Sequence, residues 1–235
     1  MTEFPDIFQE NPRMVKAMAE ICLRFRHGNL QQARESMSNY IAWREKTFGN
    51  LFEHCITDSP KLLAQLKTNF LRLSPHRLQN GAAILYMSMK NHDPSLYTTN
   101  DTIKCMHFFI VASMMVDPDL AEGGFVFCND MEGVEYSNLD MHFPGAIASA
   151  VGKAIPIRLL KIVILNAPSV VRFIIPIIKS ILSTKLLERL HVVDDEDLPS
   201  LLNISKGDLP IEMGGMVSFD LEYDIQQLVN EKWCV

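Results

Sequence analysis

Cysteine is sparse and unpaired in this sequence. The five residues Cys22, Cys55, Cys105, Cys128 and Cys234 are odd in number and show no CxxC or Cys/His ligand spacing, which excludes a disulfide framework or a zinc module and reads as free thiols in a reducing compartment. An excess of basic residues is also lacking. Twenty-two Lys and Arg against 28 Asp and Glu give a net charge of −6, so a nucleic-acid partner is not expected, because phosphate-tracking proteins carry a net basic face.

Catalytic and metal signatures are missing as well. The seven histidines, His27, His54, His76, His92, His107, His142 and His191, lack HxxxH or HxxEH spacing, and no metal site is expected. Neither a GxSxG elbow nor a GxxxxGK(S/T) phosphate loop occurs, and Gly123-Gly124 and Gly214-Gly215 read as turns. The run Asp194 to Asp197 lacks the alternating ligands of a calcium loop and reads as a helix start. The expectation is a protein without cofactor and without enzymatic activity.

The N-terminal MTEFPDIFQENPRMV has acidic residues and no apolar core segment, so neither a secretory signal nor a transit peptide is read there, and a cytoplasmic location is expected. A long uninterrupted apolar run is absent too. The most hydrophobic stretch, Ala154 to Leu182, is broken by Arg158, Lys161, Arg172 and Lys179, and its longest uncharged run is Ile162 to Val171. That falls short of the roughly 20 apolar residues of a spanning helix.

What is present is ample material for a core. Forty-eight per cent of 235 residues are hydrophobic, enough for one main domain with a small accessory unit. Residues 12 to 48 show helical apolar spacing, broken at His27-Gly28-Asn29 and ending at Phe48-Gly49. Strands are expected at Phe70 to Leu73 and Ala82 to Met89 around the polar segment Ser74 to Gly81, then a helix from Asp101 to Val116. FVFCNDM is strand-like and Asn138 to Ala154 helix-like. The hydrophobic stretch divides into a strand, Leu159 to Leu165, a turn at Asn166-Ala167-Pro168, and a helix to Leu182, with a short strand at Arg189 to Val193 following. Strands alternating with helices predict an α/β sheet.

The helix from Pro168 to Leu182 is unusual in carrying apolar residues on nearly every side, where a surface helix shows one stripe. A buried central helix accounts for this on periodicity alone; a lid between a cavity and a bilayer is the other reading.

The ordered motifs DMEG (Asp130 to Gly133), PIRLLKIVILNAP (Pro156 to Pro168), KLLERLHVV (Lys185 to Val193) and LPIEMGG (Leu209 to Gly215) together resemble the CRAL-TRIO lipid-binding family, especially its tocopherol- and retinaldehyde-carrying branch. LRFRHGNLQQARESMSNYIAWR (Leu23 to Arg44) is similar to its N-terminal helical domain and NHDPSLY (Asn91 to Tyr97) to its post-strand loop, so the resemblance runs from about residue 15 to residue 216. It implies an N-terminal helical domain over 1–52, a lipid-binding domain over 53–216 and a tail over 217–235. The implied fold is α/β, a mixed sheet flooring an apolar cavity beneath helices and a mobile gate helix. The implied function is an intracellular carrier that encloses one hydrophobic lipid and exchanges it with membranes through transient surface contact.

By resemblance, the cavity positions are Ile103, Met106, Ile110, Phe125, Phe127, Val134, Tyr136, Ile147, Val151, Ile162, Ile174, Ile177 and Ile178. The membrane-facing gate positions are Val170, Val171, Phe173 and Ile175. Arg26, Arg158, Lys185 and Arg189 fall on basic positions that meet anionic, phosphoinositide-type headgroups in the tocopherol-carrying branch. Two residues depart from the pattern: Leu160 stands where that branch has a second basic residue, and Ile157 where the phosphatidylinositol-carrying branch has a glutamate. These favour a retinoid, tocopherol, carotenoid or similar lipid over phosphatidylinositol. A phospholipid or phosphoinositide transfer protein, and a lipid-sensing regulatory or scaffold module of the same fold, remain the alternatives.

Overall fold

The computed structural model describes residues 12–49 and 59–218, apart from the side chains of residues 152 and 153. Two helices open it. Helix α1 (Pro12–Phe25) buries Met14, Val15, Met18, Ile21 and Cys22, a single stripe at helical spacing. Helix α2 (Leu30–Phe48) starts at Asn29, whose side chain accepts from the Gln32 amide at 3.0 Å. The turn between them is sharp because His27 and Gly28 both take positive φ, 50° and 79°, conformations that Gly and short polar side chains tolerate. Their buried stripes join those of the helix Thr99–Val116 in one continuous core, and Arg24 pairs with Asp119 at 2.7 Å. The expected boundary at residue 52, and the tail beyond residue 218, lie outside the described residues. Val217, expected to begin that tail, is instead buried, its amide donating to the Leu209 carbonyl at 3.0 Å.

A short helix, α3 (Pro60–Leu66), was not expected; the Ser59-Pro60 pair is its start signal, with the Ser59 hydroxyl accepting from the Leu62 amide at 3.3 Å. Strand β1 (Leu71–Arg77) then pairs antiparallel with β2 (Ala83–Ser88), with a register shift between Leu73 and Arg77. The first half of the expected polar connection Ser74 to Gly81, Ser74 to Arg77, is thus strand. The sheet continues in parallel through β3 (Phe125–Asp130), β4 (Leu159–Leu165) and β5 (Leu190–Val193), in the order β1-β2-β3-β4-β5.

Sequential parallel strands joined by crossovers of one hand place every connecting helix on the same face. Side-chain alternation bears this out. Leu85, Met87, Phe125, Phe127 and Ile164 enter the core shared with the helices, whereas Ile84, Tyr86, Val126, Cys128, Val163 and Leu165 enter a second core on the opposite face. The helical face holds α4 (Thr99–Val116) and the short α5 (Leu120–Gly123). Helix α6 (Phe143–Ser149) runs on as a π-helical turn over Ala150–Ala154, followed after β4 by α7 (Ser169–Ile181) and α8 (Thr184–Leu187). Helix α9 (Leu198–Leu202) covers the other face with Leu209 and Met213.

Two expectations about helix starts are corrected. The single helix from Asn138 to Ala154 is replaced by a 3-10 turn at Tyr136–Asn138 and a helix beginning only at Phe143. Asn138 does not cap α6: its amide nitrogen donates to the His92 carbonyl at 2.9 Å and its oxygen accepts from the Glu135 amide, pinning the loop to the segment that follows β2. The acidic run precedes α9, but Asp197 makes no side-chain cap, and Asp194 instead faces Arg172 at 3.6 Å.

Candidate functional site

Between the helical face of the sheet and helices α6 and α7 lies an apolar cavity of about 110 Å³. Its floor is Met87, Phe127, Asn129, Leu159, Ile162, Ile164 and Leu190. One wall comes from α6 and its π-helical extension through Phe143, Pro144, Ile147, Ala148 and Val151; the other is Val171, Ile174, Ile178 and Leu182, with Leu186 beyond. Spacings of three and four residues put that second set on one side of α7.

The opposite side of α7 is also apolar. Phe173 is 81% exposed, and Ile177 and Ile181 are each 45% exposed. The helix that is buried on almost every side is α4, in which the residues from Cys105 to Met115 are all buried. Helix α7 therefore differs from a central core helix: one apolar side lines a cavity and the other meets solvent.

Of the positions carried over from the family, Phe127, Ile147, Val151, Ile162, Ile174 and Ile178 stand together around this cavity. Others are elsewhere. Ile103, Met106 and Ile110 lie buried in α4, and Phe125 and Val134 are buried outside the lining. Tyr136 sits in the 3-10 turn at 80% exposure. Ile177 faces away from the cavity because it shares its side of the helix with Phe173 and Ile181. The expected membrane-facing set divides in the same way: Phe173 is exposed, Val170 is half-buried against the core, Ile175 is buried, and fully buried Val171 lines the cavity.

Sequence reasoning missed four methionines of the lining, Met87, Met89, Met131 and Met141. The signal available was composition, since the chain has 13 methionines, and flexible thioethers suit a site that must adapt to irregular apolar shapes. It also missed the polar members, Asn129 and Asp140. The Asn129 amide nitrogen donates to the Val163 carbonyl at 3.0 Å. Asp140 accepts from the Thr99 hydroxyl and, at 2.9 Å, from the His142 amide. No Lys, Arg or His is among the lining residues.

Behind the Phe143 wall sits buried His92, its ring centroid 6.3 Å from that of Phe143 and 5.1 Å from that of Phe70. Neither ring nitrogen has a hydrogen-bond partner among the described residues. Burial lowers its pKa against the opposing pull of Asp140 and Asp93.

Two of the basic positions, Arg158 and Arg189, meet the start of β4, at the edge of the floor. Arg158 reaches the His27 ring, and its carbonyl accepts from the Phe125 amide at 2.8 Å. The chain can pass there because Gly124 lies opposite: a Cβ on it would come within 2.4 Å of the Arg158 carbonyl oxygen. Arg189 donates to the carbonyl of Leu159, a floor residue. Arg26 donates to the Ser36 hydroxyl at 2.8 Å, while Lys185 is exposed on α8. The two departures are apolar in position as well as in kind: Ile157 is buried in the helical-side core, and Leu160 packs on the opposite core.

Among the described residues no group of three or more His, Cys, Asp or Glu side chains could hold a metal ion. Cys22, Cys105 and Cys128 are buried free thiols, and burial pushes the Cys22 thiol up to about 12. No helix among the described residues is long and apolar enough to cross a membrane.

Comparison with known proteins agrees with this architecture. Alpha-tocopherol transfer protein-like from Mus musculus is 26% identical over 200 residues, covering 82% of this chain and 56% of that protein. The human protein of the same name gives the same identity and coverage. The chain thus spans about half the length of these relatives. Tyrosine-protein phosphatase non-receptor type 9 from Homo sapiens is 26% identical over 141 residues, covering 60% of this chain but 23% of its own length. The crystal structure of Sfh5 superposes with a TM-score of 0.55 at 11% identity, over 94% of this chain and 82% of that one, a likeness of fold. The CRAL/TRIO domain family matches residues 73–215, which include most of β1, all of β2 to β5 and both cavity walls. The chain belongs to the CRAL/TRIO domain family.

Proposed function

We propose that this protein is a carrier, not an enzyme, that encloses one predominantly apolar lipid in the cavity beneath α7 and exchanges it with membranes as α7 moves. The observation that carries the reading is the pairing of an apolar cavity with a wall helix that is apolar on its outer side too.

Energetics supply the reason for that pairing. Burying ~400 to 500 Å² of apolar lipid surface stabilises the complex by about 10 kcal/mol before association costs. Release into water would then be very slow, so the lipid has to pass directly from cavity to bilayer. When α7 swings out, Phe173, Ile177 and Ile181 enter the interfacial layer while the cavity opens to the acyl chains. Arg26, Arg158, Lys185 and Arg189 would meet anionic headgroups during that contact, consistent with a cytoplasmic protein that visits membranes transiently.

The apolar Ile157 and Leu160 favour a neutral lipid of the retinoid, tocopherol or carotenoid kind over phosphatidylinositol. A second reading, a lipid-sensing module, draws on the phosphatase relative, of which the matched region is only 23%. Native mass spectrometry of the purified protein, with identification of the extracted molecule, tests the cargo. One neutral lipid per chain is expected. A stoichiometric phospholipid contradicts the assignment of cargo.

A further inference from the structure

The cavity floor contains an uncharged polar side chain with an acceptor that the fold leaves without a donor. Asn129 lies near the end of β3 with 8% of its surface exposed, on the cavity floor. The Val163 carbonyl can only accept, so it fixes the amide orientation, with the nitrogen turned toward it at 3.0 Å. The oxygen is left over, and no donor among the described residues engages it. Asp140, the other polar lining residue, has a donor on each carboxylate oxygen, the Thr99 hydroxyl on Oδ2 and the His142 amide on Oδ1, whereas Asn129 Oδ1 has none among the described residues. No cation lines the cavity.

We infer that Asn129 is the headgroup anchor of the cavity and that it selects a neutral lipid bearing a hydroxyl, whose O–H donates to Oδ1. The inference rests on the cavity being the lipid site and narrows its cargo. Three ligand chemistries separate on it. A hydrocarbon leaves a buried amide oxygen without a donor, a carboxylate or phosphate would be buried without a countercharge, and an alcohol satisfies the amide while bringing no charge. Asn129 is thereby a specificity residue, since apolar burial supplies most of the affinity and the amide discriminates between heads.

The experiment offers phosphatidylcholine vesicles containing traces of hexadecan-1-ol, hexadecane or hexadecanoate to the full chain and to Asn129→Leu, and measures the lipid extracted into protein. The alcohol-to-hydrocarbon ratio is read within one preparation, so a change in overall stability cancels. The expected result is a ratio about five- to tenfold higher for the unaltered protein than for Asn129→Leu, with hexadecanoate the poorest ligand of both. Extraction of all three with a ratio that Asn129→Leu leaves unchanged overturns the assignment of Asn129 while leaving the carrier intact. Preference for hexadecanoate overturns the neutral-head selection. If Asn129→Leu fails to fold, the unaltered protein decides: alcohol extracted better than both analogues supports the inference, and any other order overturns it. Extraction of none of the three overturns the carrier reading and this inference together.

Discussion

His92 and His107 show how single buried groups set the protein's response to pH. His107 is fully buried in α4, with its Nε2 and the Tyr40 hydroxyl hydrogen-bonded at 3.0 Å, and burial, reinforced by Arg44, holds its pKa well below the usual 6.5. His92 is lowered by burial as well. Both are neutral in the folded chain, whereas the unfolded chain takes up protons as pH falls through about 6.5. Their contribution to stability is therefore complete above that value and is lost as pH drops toward the depressed folded values. Replacing His92 by Phe removes two nitrogens that lack partners in an aromatic setting beside Phe70 and Phe143. Chemical denaturation is expected to show His92→Phe more stable by about 1–2 kcal/mol at pH 7, with a larger gain at pH 5.5. Equal stability at both values would place the titrating load elsewhere. None of this was legible in the sequence, where the seven histidines are scattered without spacing. Asn129 was likewise hidden, read simply as one residue of the strand FVFCNDM, because only the pairing of β3 with β4 brings its amide to the Val163 carbonyl.

At the scale of the element, α7 divides at Pro176. Proline has no N–H to give the Arg172 carbonyl, so the intrahelical ladder is interrupted in mid-helix. The first half is held by buried Val171 and Ile175 and by Arg172, which donates to the Ala167 carbonyl at 2.8 Å. In the second half only Ile178 and the following Leu182 are half-buried. Opening is therefore expected to begin at the C-terminal half, with the first half as its anchor. Pro176→Ala restores a donor and favours helix by up to about 3 kcal/mol, so amide exchange at residues 177–182 should slow, and lipid release with it. Unchanged exchange and release would rule out Pro176 as the hinge. The sequence located this helix to within a residue at either end, Pro168 to Leu182 against Ser169–Ile181. It could not say which side faces inward, because isoleucine and valine lie all around the axis. Only the sheet beneath defines that, which is why Val171 and Ile177 exchange their expected roles.

For the whole molecule, the alternation of short apolar strands with helices was enough to read an α/β sheet, and the strands at Leu159–Leu165 and Phe125–Asp130 fall where their apolar runs predict. The cavity was less legible because it arises from elements far apart in the chain: Met87, Phe143 and Leu190 converge through strand order and the one-sided placement of helices. Positions inherited along a single helix, such as Ile103, Met106 and Ile110, pack into the core next to it instead. The resulting architecture makes one demand: an apolar cavity closed by a helix with an apolar outer side should move lipid between membranes, not merely bind to them. Transfer of a fluorescent polyene alcohol between donor and acceptor vesicles, followed by loss of quenching, tests this most directly when the unaltered protein is compared with the Phe173→Asp/Ile177→Asp double variant. Both substituted side chains are exposed, so the variant should fold and retain bound lipid. The account predicts that catalytic amounts of the unaltered protein accelerate exchange and that the variant does so at least about tenfold more slowly; vesicle binding without any acceleration, or equal rates for the two proteins, would contradict it.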